Sequence, residues 1–315
     1  MKRIALIGEC MIELNGAPFG AMTQAFGGDS LNTAVYLARV AGEKVAIDYV
    51  SALGTDAISN GMLVRWQQEG VSTDLVLRDE TRQPGLYLIQ LDEQGERTFL
   101  YWRNQSAARY MIQHADFVRI EAALTKVDMV YLSGISLAIL PAEDRTKLVA
   151  LLASLRQQGV EVAFDSNYRP ALWRDAEEAR DCYRQVFEIT DLALVTNDDE
   201  ANLWGDSDEH ATLNRLQAAG VKKAVVKMGA KGNLYQEFTA DSTADEAENI
   251  ATTLVQTVVD TTSAGDSFNA GFLAGYLQGK DAQQCSRQGH QLAGIVIQHK
   301  GAIIAKQLTD MFRFV

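Results

Sequence analysis

The chain has 315 residues, of which 47% are hydrophobic and 22% charged, and it carries a net charge of −12. This composition is ordinary for a globular protein with a substantial core. The acidic balance and the lack of a dense basic run disfavour nucleic acid as a partner, and no apolar stretch approaches the roughly 20 residues of a membrane span. Three scattered cysteines form no CxxC pair, which favours a reduced, cytoplasmic location.

Strand-like and helix-like segments alternate along most of the chain. Residues 4–8 predict a buried strand, and residues 31–42 predict a helix because apolar residues recur there at helical spacing. A second helix is predicted between Pro141 and Gly159. Four further short apolar segments predict strands: 129–132, 160–164, 192–195 and 224–226. This alternation predicts an α/β fold of three layers, in which helices flank a mostly parallel sheet.

Two segments depart from this alternation, at about 9–15 and 84–104. Within the second, Leu86 to Leu91 and Thr98 to Arg103 predict a hairpin around residues 92–95. No helix follows these strands, so we expect a small antiparallel β lid beside the main sheet. We therefore expect a single domain over residues 1–315 that includes this lid. Its exposed strand edges predict a homo-oligomer that packs through the lid.

The segment Asp260 to Phe272 carries the strongest chemical signal. Residues 255–259 predict a strand before it, and residues 268–276 have a helical pattern. Ser263, Ala264 and Gly265 are thus expected at a strand-to-helix turn. Unpaired backbone N–H groups and the helix dipole make such a turn an anion site, and small side chains let phosphate oxygens approach.

Asp266 is expected in the first turn of that helix, beside the anion site. From this position it can orient a hydroxyl and accept its proton while a phosphoryl group moves across. The alternative is that Asp266 only complements the helix dipole, as first-turn acids often do. The adjacent small-residue turn favours the catalytic interpretation.

Two segments resemble signatures of a known family. Asp260 to Phe272 is similar to the C-terminal signature of the ribokinase-like (phosphofructokinase-B-type) carbohydrate kinases, and residues 27–34 (GGDSLNTA) resemble the N-terminal one. The similarity runs from Ile4 to about Gly301. It implies the ribokinase-like fold, ATP and Mg²⁺ as cofactors, Asp266 as base, and an anion hole formed by residues 263–265. The family more often has Gly at position 263, where Ser still exposes its N–H.

The resemblance also implies a nucleotide site. Asn197 to Glu200 matches an Asn-x-x-Glu element in which Glu200 would hold Mg²⁺, expected through water; the alternative is a helix N-cap box. Lys227 to Gly232 resembles the nucleotide-binding strand and turn, and the alternative is a simple hairpin turn. The residues expected to bind ATP are Asn167, Asn197, Lys227, Gly229, Lys231 and Gly232. A monovalent cation near the anion turn is common in this family, and the sequence does not decide it.

The acceptor is predicted from residues near the lid. Tyr101 and Arg103 alternate onto one strand face, Tyr87 lies on the pairing strand, and an inward arginine suits a carboxylate. This arrangement resembles that of 2-keto-3-deoxygluconate kinases, which implies phosphorylation of the 6-hydroxyl of this sugar acid. The expected substrate-binding residues are Gly28, Asn32, Tyr87, Tyr101, Arg103 and Arg169. In the alternative interpretation, Tyr101 and Arg103 are ordinary edge-strand residues.

Other functions are less well supported. A fructokinase- or tagatose-type kinase would use the same machinery and is the main alternative. A dinucleotide-dependent oxidoreductase is disfavoured because the first strand is not followed by a Gly-x-Gly-x-x-Gly turn. A non-catalytic sugar sensor is disfavoured because Asp266 is present. The four histidines have no metal-ligand spacing.

Overall fold

The computed structural model describes residues 1–17, 19–91, 97–239 and 246–313. The strands of these residues are β1 Lys2–Ile7, β2 Met11–Gly16, β3 Met22–Gly27, β4 Val45–Gly54, β5 Val76–Asp79, β6 Leu86–Leu91, β7 Arg97–Trp102, β8 Met129–Ser133, β9 Glu161–Asp165, β10 Leu192–Thr196, β11 Lys223–Lys227, β12 Asn233–Glu237 and β13 Glu248–Ile250. The helices are α1 Asp29–Ala41, α2 Ala57–Gln68, α3 Phe117–Leu124, α4 Gly134–Ala138, α5 Ala142–Gln157, α6 Ala176–Phe187, α7 Asn197–Trp204, α8 Glu209–Ala218, α9 Ala264–Tyr276 and α10 Ala282–Val296.

Over the described residues, the large sheet has nine strands in the order β13-β12-β11-β10-β9-β8-β1-β4-β5. The pairs from β5 to β11 are parallel, and β12 and β13 extend one edge in antiparallel fashion. Because side chains alternate across a strand, Ile4 and Leu6 join the core beneath α1, α9 and α10. Ala5 and Ile7 join the opposite core beneath α5 and α6. The predicted three-layer, mostly parallel architecture is confirmed.

The small sheet has the order β3-β2-β6-β7. Its outer pairs are antiparallel, as expected for the lid, and its central pair β2–β6 is parallel. Strand β3 had no predicted counterpart, and the predicted turn at residues 92–95 lies outside the described residues. Near the end of β7, Tyr101 and Trp102 are 52% and 57% exposed.

The strand predicted at residues 255–259 is wrong. The structure has no strand between residues 251 and 260. The N–H groups of Val259 and Asp260 both donate to the Ile297 carbonyl after α10, so they are not available to a sheet partner. The segment instead borders a cavity, and α9 begins at Ala264, four residues earlier than its apolar pattern indicated. In the described part of the chain, no helix is long and apolar enough to cross a membrane.

Candidate active site

The turn into α9 carries the predicted anion site. Ser263 adopts a left-handed conformation with φ 65°, and Asp266 lies in the first turn of the helix. The Ala264 N–H donates to the Thr261 carbonyl at 3.2 Å, so one predicted anion-hole donor is already engaged. In the described part of the chain, the N–H groups of Ser263, Gly265 and Asp266 donate to no backbone acceptor. These three N–H groups can bind an anion.

The Asp266 carboxylate is held between α9 and α1. Its Oδ2 accepts hydrogen bonds from Asn32 Nδ2 at 2.9 Å and from Ser263 Oγ at 3.0 Å. Burial, followed by the negative charge of Asp29, raises the pKa of Asp266 to about 7. Asp266 still remains partly exposed. A partly exposed carboxylate with a raised pKa can accept a proton from a bound hydroxyl.

A buried polar network lies beneath the turn. Lys227 Nζ donates to Asn269 Oδ1 at 3.0 Å and lies 3.4 Å from Asp165 Oδ1, and Asn269 Nδ2 donates to Asp165 Oδ2 at 2.8 Å. A Cβ atom at Gly265 would lie 3.7 Å from Lys227 Nζ. The Lys227 ammonium group therefore lies beside the anion turn and can complement phosphate. Asn269 was missed in the sequence, where its signal was a polar residue inside an apolar helical pattern.

A cavity of about 410 Å³ opens beside this turn. It is bordered by the end of β11, the segment 252–258, the start of α9 and the α10 face that contains His290. Of the residues expected to bind ATP, Lys227, Gly229 and Gly232 line it. Asn167, Asn197 and Lys231 are not among its lining residues, so their roles stay predictions. Asn167 instead donates to Asp29 Oδ2 at 2.8 Å, near Asp266.

Glu200 lies in the first turn of α7, as the Asn-x-x-Glu motif predicted. Its side chain is fully buried, and Oε2 accepts a hydrogen bond from Arg215 Nη2 at 2.6 Å. Burial raises the pKa of Glu200 to about 7, although the Arg215 charge and the neighbouring Ser166 hydroxyl favour its charged form. Oε1 makes no hydrogen bond of normal geometry with the described residues.

Whether the described residues could hold Mg²⁺ depends on the Glu200 carboxylate and on the phosphates of the nucleotide. Within the described residues, no group of three or more His, Cys, Asp or Glu side chains forms a metal site. Glu200 Oε1 is a hard oxygen donor of the kind that Mg²⁺ accepts, directly or through water. The residues therefore fit an ion held chiefly by phosphate oxygens and water rather than by a protein cage.

The small sheet supplies the predicted acceptor side. Arg103 is largely buried, and its Nε donates to Glu9 Oε2 at 2.8 Å. Tyr87 lies opposite Tyr101 with ring centroids 6.1 Å apart, and its hydroxyl donates to Glu13. The structure thus brings Tyr87, Tyr101 and Arg103 together. Glu9, which was not predicted, balances part of the Arg103 charge.

The N-terminal signature meets both sides of the site. A Cβ atom at Gly28 would clash with the Glu9 carbonyl oxygen, and one at Gly27 would lie 2.7 Å from the Tyr87 hydroxyl. Glycine is therefore needed at Gly28, where the clash is with backbone, whereas a side chain at Gly27 would require the Tyr87 ring to shift. Asn32 donates its side-chain N–H to Asp266, and its expected contact with the sugar stays a prediction.

Arg169 has different neighbours from Arg103, which pairs with Glu9. Arg169 is half-exposed and lies 3.4 Å from Asp199 in α7, and it also donates to the Tyr168 carbonyl at 2.8 Å. Burial raises the pKa of Asp199, and the Arg169 charge opposes that rise. The predicted substrate contact of Arg169 stays a prediction.

Comparison with known sequences agrees with these features. Residues 1–309 match the family described as pfkB family carbohydrate kinase. The chain is 58% identical over 307 residues to a 2-dehydro-3-deoxygluconokinase of Haemophilus influenzae, covering 97% of this chain and 96% of that protein. A Dickeya dadantii protein of the same name is 48% identical over 306 residues, covering 96% and 97%. A Klebsiella pneumoniae fructokinase is 26% identical over 216 residues, covering 69% and 67%.

Solved structures share the fold. A PfkB protein from Polaromonas superposes with a TM-score of 0.82 at 24% identity, covering 98% of this chain and 99% of that chain. A ribokinase II from Escherichia coli in complex with ATP and Mg²⁺ has a TM-score of 0.82 at 22% identity, covering 96% and 94%. At these identities the similarity establishes the three-layer fold with its small second sheet.

Proposed function

Because the chain belongs to the pfkB family of carbohydrate kinases, we propose that it transfers the γ-phosphoryl group of ATP to the 6-hydroxyl of 2-dehydro-3-deoxy-D-gluconate (2-keto-3-deoxygluconate). The observation that carries this assignment is the 58% identity, over nearly the full length of both chains, to the Haemophilus influenzae 2-dehydro-3-deoxygluconokinase. The fructokinase alternative is weaker, because the Klebsiella pneumoniae fructokinase matches about two thirds of the chain at 26% identity.

In this proposal the α9 turn carries the phosphoryl transfer. Asp266 accepts the proton of the attacking hydroxyl, which is the contribution expected of a positioned general base. The N–H groups of Ser263, Gly265 and Asp266, together with the Lys227 ammonium group, stabilise the charge that develops on phosphate oxygens. Mg²⁺ bound with ATP would neutralise phosphate charge, and Glu200 would hold it through water.

The acceptor side would recognise the carboxylate of the sugar acid. The Nε and Nη2 atoms of the Arg103 guanidinium donate to Glu9. The opposite edge of the guanidinium is therefore the part that can donate to a ligand. Tyr87 and Tyr101 lie beside Arg103 and would contact the sugar. Arg169, Gly28 and Asn32 remain proposed contacts from the N-terminal signature and the β9 loop.

Location and assembly belong to the same proposal. We place the enzyme in the cytoplasm, where ATP is available and where its three free cysteines would stay reduced. We also propose a homo-oligomer through the small sheet, because Tyr101 and Trp102 of strand β7, at the edge of the sheet, are more than half exposed. Light scattering that detects monomer alone at assay concentration would contradict this assembly.

A coupled assay with Mg-ATP tests the acceptor. We expect 2-dehydro-3-deoxygluconate to be used far better than fructose, tagatose or ribose. Arg103→Ala should lower kcat/KM for the acid sugar by about ten- to a hundredfold, because charge-assisted hydrogen bonds to the carboxylate are lost. Activity with fructose should change little.

Two further variants make this assay decisive. Arg103→Lys keeps a cation beside buried Glu9 and so protects the fold, yet it should lose most of the same preference because an ammonium group cannot donate two parallel hydrogen bonds. Arg119→Ala removes an exposed arginine of α3 outside the site and should leave the preference unchanged. Equal or better use of fructose by the wild-type enzyme would refute the acid-sugar assignment.

A further inference from the structure

The two oxygens of the Asp266 carboxylate have different surroundings. Oδ2 accepts hydrogen bonds from Asn32 Nδ2 at 2.9 Å and from Ser263 Oγ at 3.0 Å. Over the described residues, Oδ1 accepts no side-chain hydrogen bond. Two donors on one oxygen fix the rotation of the carboxylate plane, and they leave the lone pairs of the other oxygen available.

Ser263 does not act as an ordinary helix cap. At the N-caps of α2, α6, α8 and α10, an aspartate side chain accepts hydrogen bonds from helix N–H groups. Ser263 occupies the same position on α9, but its side chain accepts none, and its hydroxyl donates to the Asp266 carboxylate instead. The capping interaction is therefore reversed, and the Gly265 and Asp266 N–H groups of the first turn stay available for an anion.

The backbone of Ser263 makes this arrangement notable. With φ 65° and ψ 15° it lies in the left-handed region, where a Cβ atom is disfavoured and glycine is the usual residue. Gly229 and Gly232 take positive φ in the neighbouring turn, at the same cavity. A serine is disfavoured in this conformation, so we infer that its side chain has a function. That side chain contacts Asp266.

We propose that Ser263 is a positioning residue that, together with Asn32, holds Oδ2 of Asp266 so that Oδ1 accepts the proton of the sugar hydroxyl. The assignment rests on the proposed kinase function. In the step itself, the acceptor O–H bond breaks and its proton passes to Oδ1. The hydroxyl oxygen forms a bond to the γ-phosphorus of ATP while the bond from that phosphorus to the β,γ-bridging oxygen breaks, and its electrons leave with ADP. Ser263 keeps its own proton throughout.

The electrostatic surroundings of Asp266 give this proposal a measurable signature. The titratable groups that face it are Asp29 and Tyr36 of α1, Tyr131 of β8, Asp165 of β9 and, beyond Asp165, Lys227 of β11. Burial and Asp29 raise the pKa of Asp266, whereas the hydrogen bonds from Asn32 and Ser263 lower it. Removing the Ser263 hydroxyl should therefore raise this pKa further.

Ser263→Gly is the main test, because glycine suits the left-handed backbone and keeps the turn N–H groups. We expect kcat to fall by about tenfold, as for the loss of one hydrogen bond to a charged group, while KM for ATP stays within about twofold. The acid limb of the pH profile of kcat/KM should move up by about half a unit to one unit. The melting temperature should not fall, since a disfavoured Cβ atom is removed.

Ser207→Gly is a matched control. Its hydroxyl also donates to an aspartate Oδ2 at 3.0 Å, on Asp208 at the start of α8, outside the site. This variant should keep wild-type kcat and the wild-type acid limb. A loss equal to that of Ser263→Gly would show that removing a serine hydroxyl from any aspartate near a helix start has the effect, and it would overturn the proposal.

Ser263→Ala separates the hydroxyl from the backbone. It keeps the Cβ atom and loses the hydroxyl, so its kcat and acid limb should match those of Ser263→Gly while its melting temperature is lower. Wild-type kcat and acid limb in both variants, or a defect in Ser263→Ala alone, would overturn the proposal. All variants are compared on whichever sugar the wild-type enzyme phosphorylates best, so a wrong acceptor assignment would be seen separately, in the wild-type enzyme.

Discussion

The first turns of α9 and α7 present the same kind of residue in opposite settings. Asp266 and Glu200 are both acids at the start of a helix, and burial raises the pKa of each to about 7. Asp266 is partly exposed and faces further acids, with hydrogen bonds on Oδ2, whereas Glu200 is fully buried and paired with Arg215. A raised pKa alone therefore does not identify a catalytic base; access and the charge of the neighbours do.

This contrast leads us to expect different roles for the two carboxylates. A carboxylate surrounded by other carboxylates is unstable as an anion, and so it gains from accepting a proton or from a bound cation. For Glu200 the Arg215 charge opposes the cost of burial, and this ion pair links α7 to α8. We expect Glu200 to influence Mg²⁺ and stability, and Asp266 to influence the chemical step.

The largest expected effect separates these two acids by activity. Asp266→Asn should lower kcat by about 10²–10⁴-fold, because the base is lost while size and shape are kept, and ATP should still bind. Glu200→Gln should raise the Mg²⁺ concentration needed for half-maximal rate but retain kcat within about tenfold at saturating Mg²⁺. Steady-state kinetics over a Mg²⁺ titration, with ATP affinity from calorimetry, measure both. If Glu200→Gln were as inactive as Asp266→Asn at saturating Mg²⁺, the two acids would not differ in their roles as proposed.

A second prediction concerns the pairing of Glu200 with Arg215. Arg215→Met should lower the free energy of unfolding by about 3–5 kcal/mol, because it leaves a buried carboxylate without its cation. The double variant Glu200→Gln, Arg215→Met should recover only part of that loss, because Asp206 still lacks the Arg215 cation that pairs with it. Urea denaturation measures these values. Arg174→Met, which removes an exposed arginine paired with Asp175, is the control and should leave the urea midpoint unchanged. No loss on Arg215→Met would contradict the structural role of the pair.

The smallest expected effect is a gain in the stability of the Asp266→Asn variant that depends on pH. Because the pKa of Asp266 is raised from 3.8 to about 7 in the folded chain, its protonated form favours folding fully below about pH 4, and this contribution is lost as the pH rises through 7. Asp266→Asn is neutral throughout, so its melting temperature should exceed that of wild type by a few degrees at pH 8 and by less at pH 5. If the difference in melting temperature between Asp266→Asn and wild type did not depend on pH, the pKa of Asp266 would not be raised in the folded chain.

Local sequence patterns predicted much of the fold and the centre of the site. Apolar periodicity identified β1, α1 and the alternating strands and helices that form the three layers. The position of Asp266 in the first turn of α9 was also predicted correctly, although a loop and not a strand leads into that turn. Strand β3 was missed, and the segment 255–259 was misassigned, because β-branched composition is compatible both with a strand and with a loop that borders a cavity.

The sequence by itself determined the chemistry available to this protein: a bulk-free turn, a first-turn carboxylate and the two signatures of a kinase family. Such features depend on neighbours within a few residues, so they can be read locally. The tertiary structure alone decided which partners meet them. Asn32 reaches Asp266 across 234 positions, and Asn269 reaches Asp165 across 104. Contacts between such distant residues follow from the order of strands and the packing of helices, which no local pattern encodes.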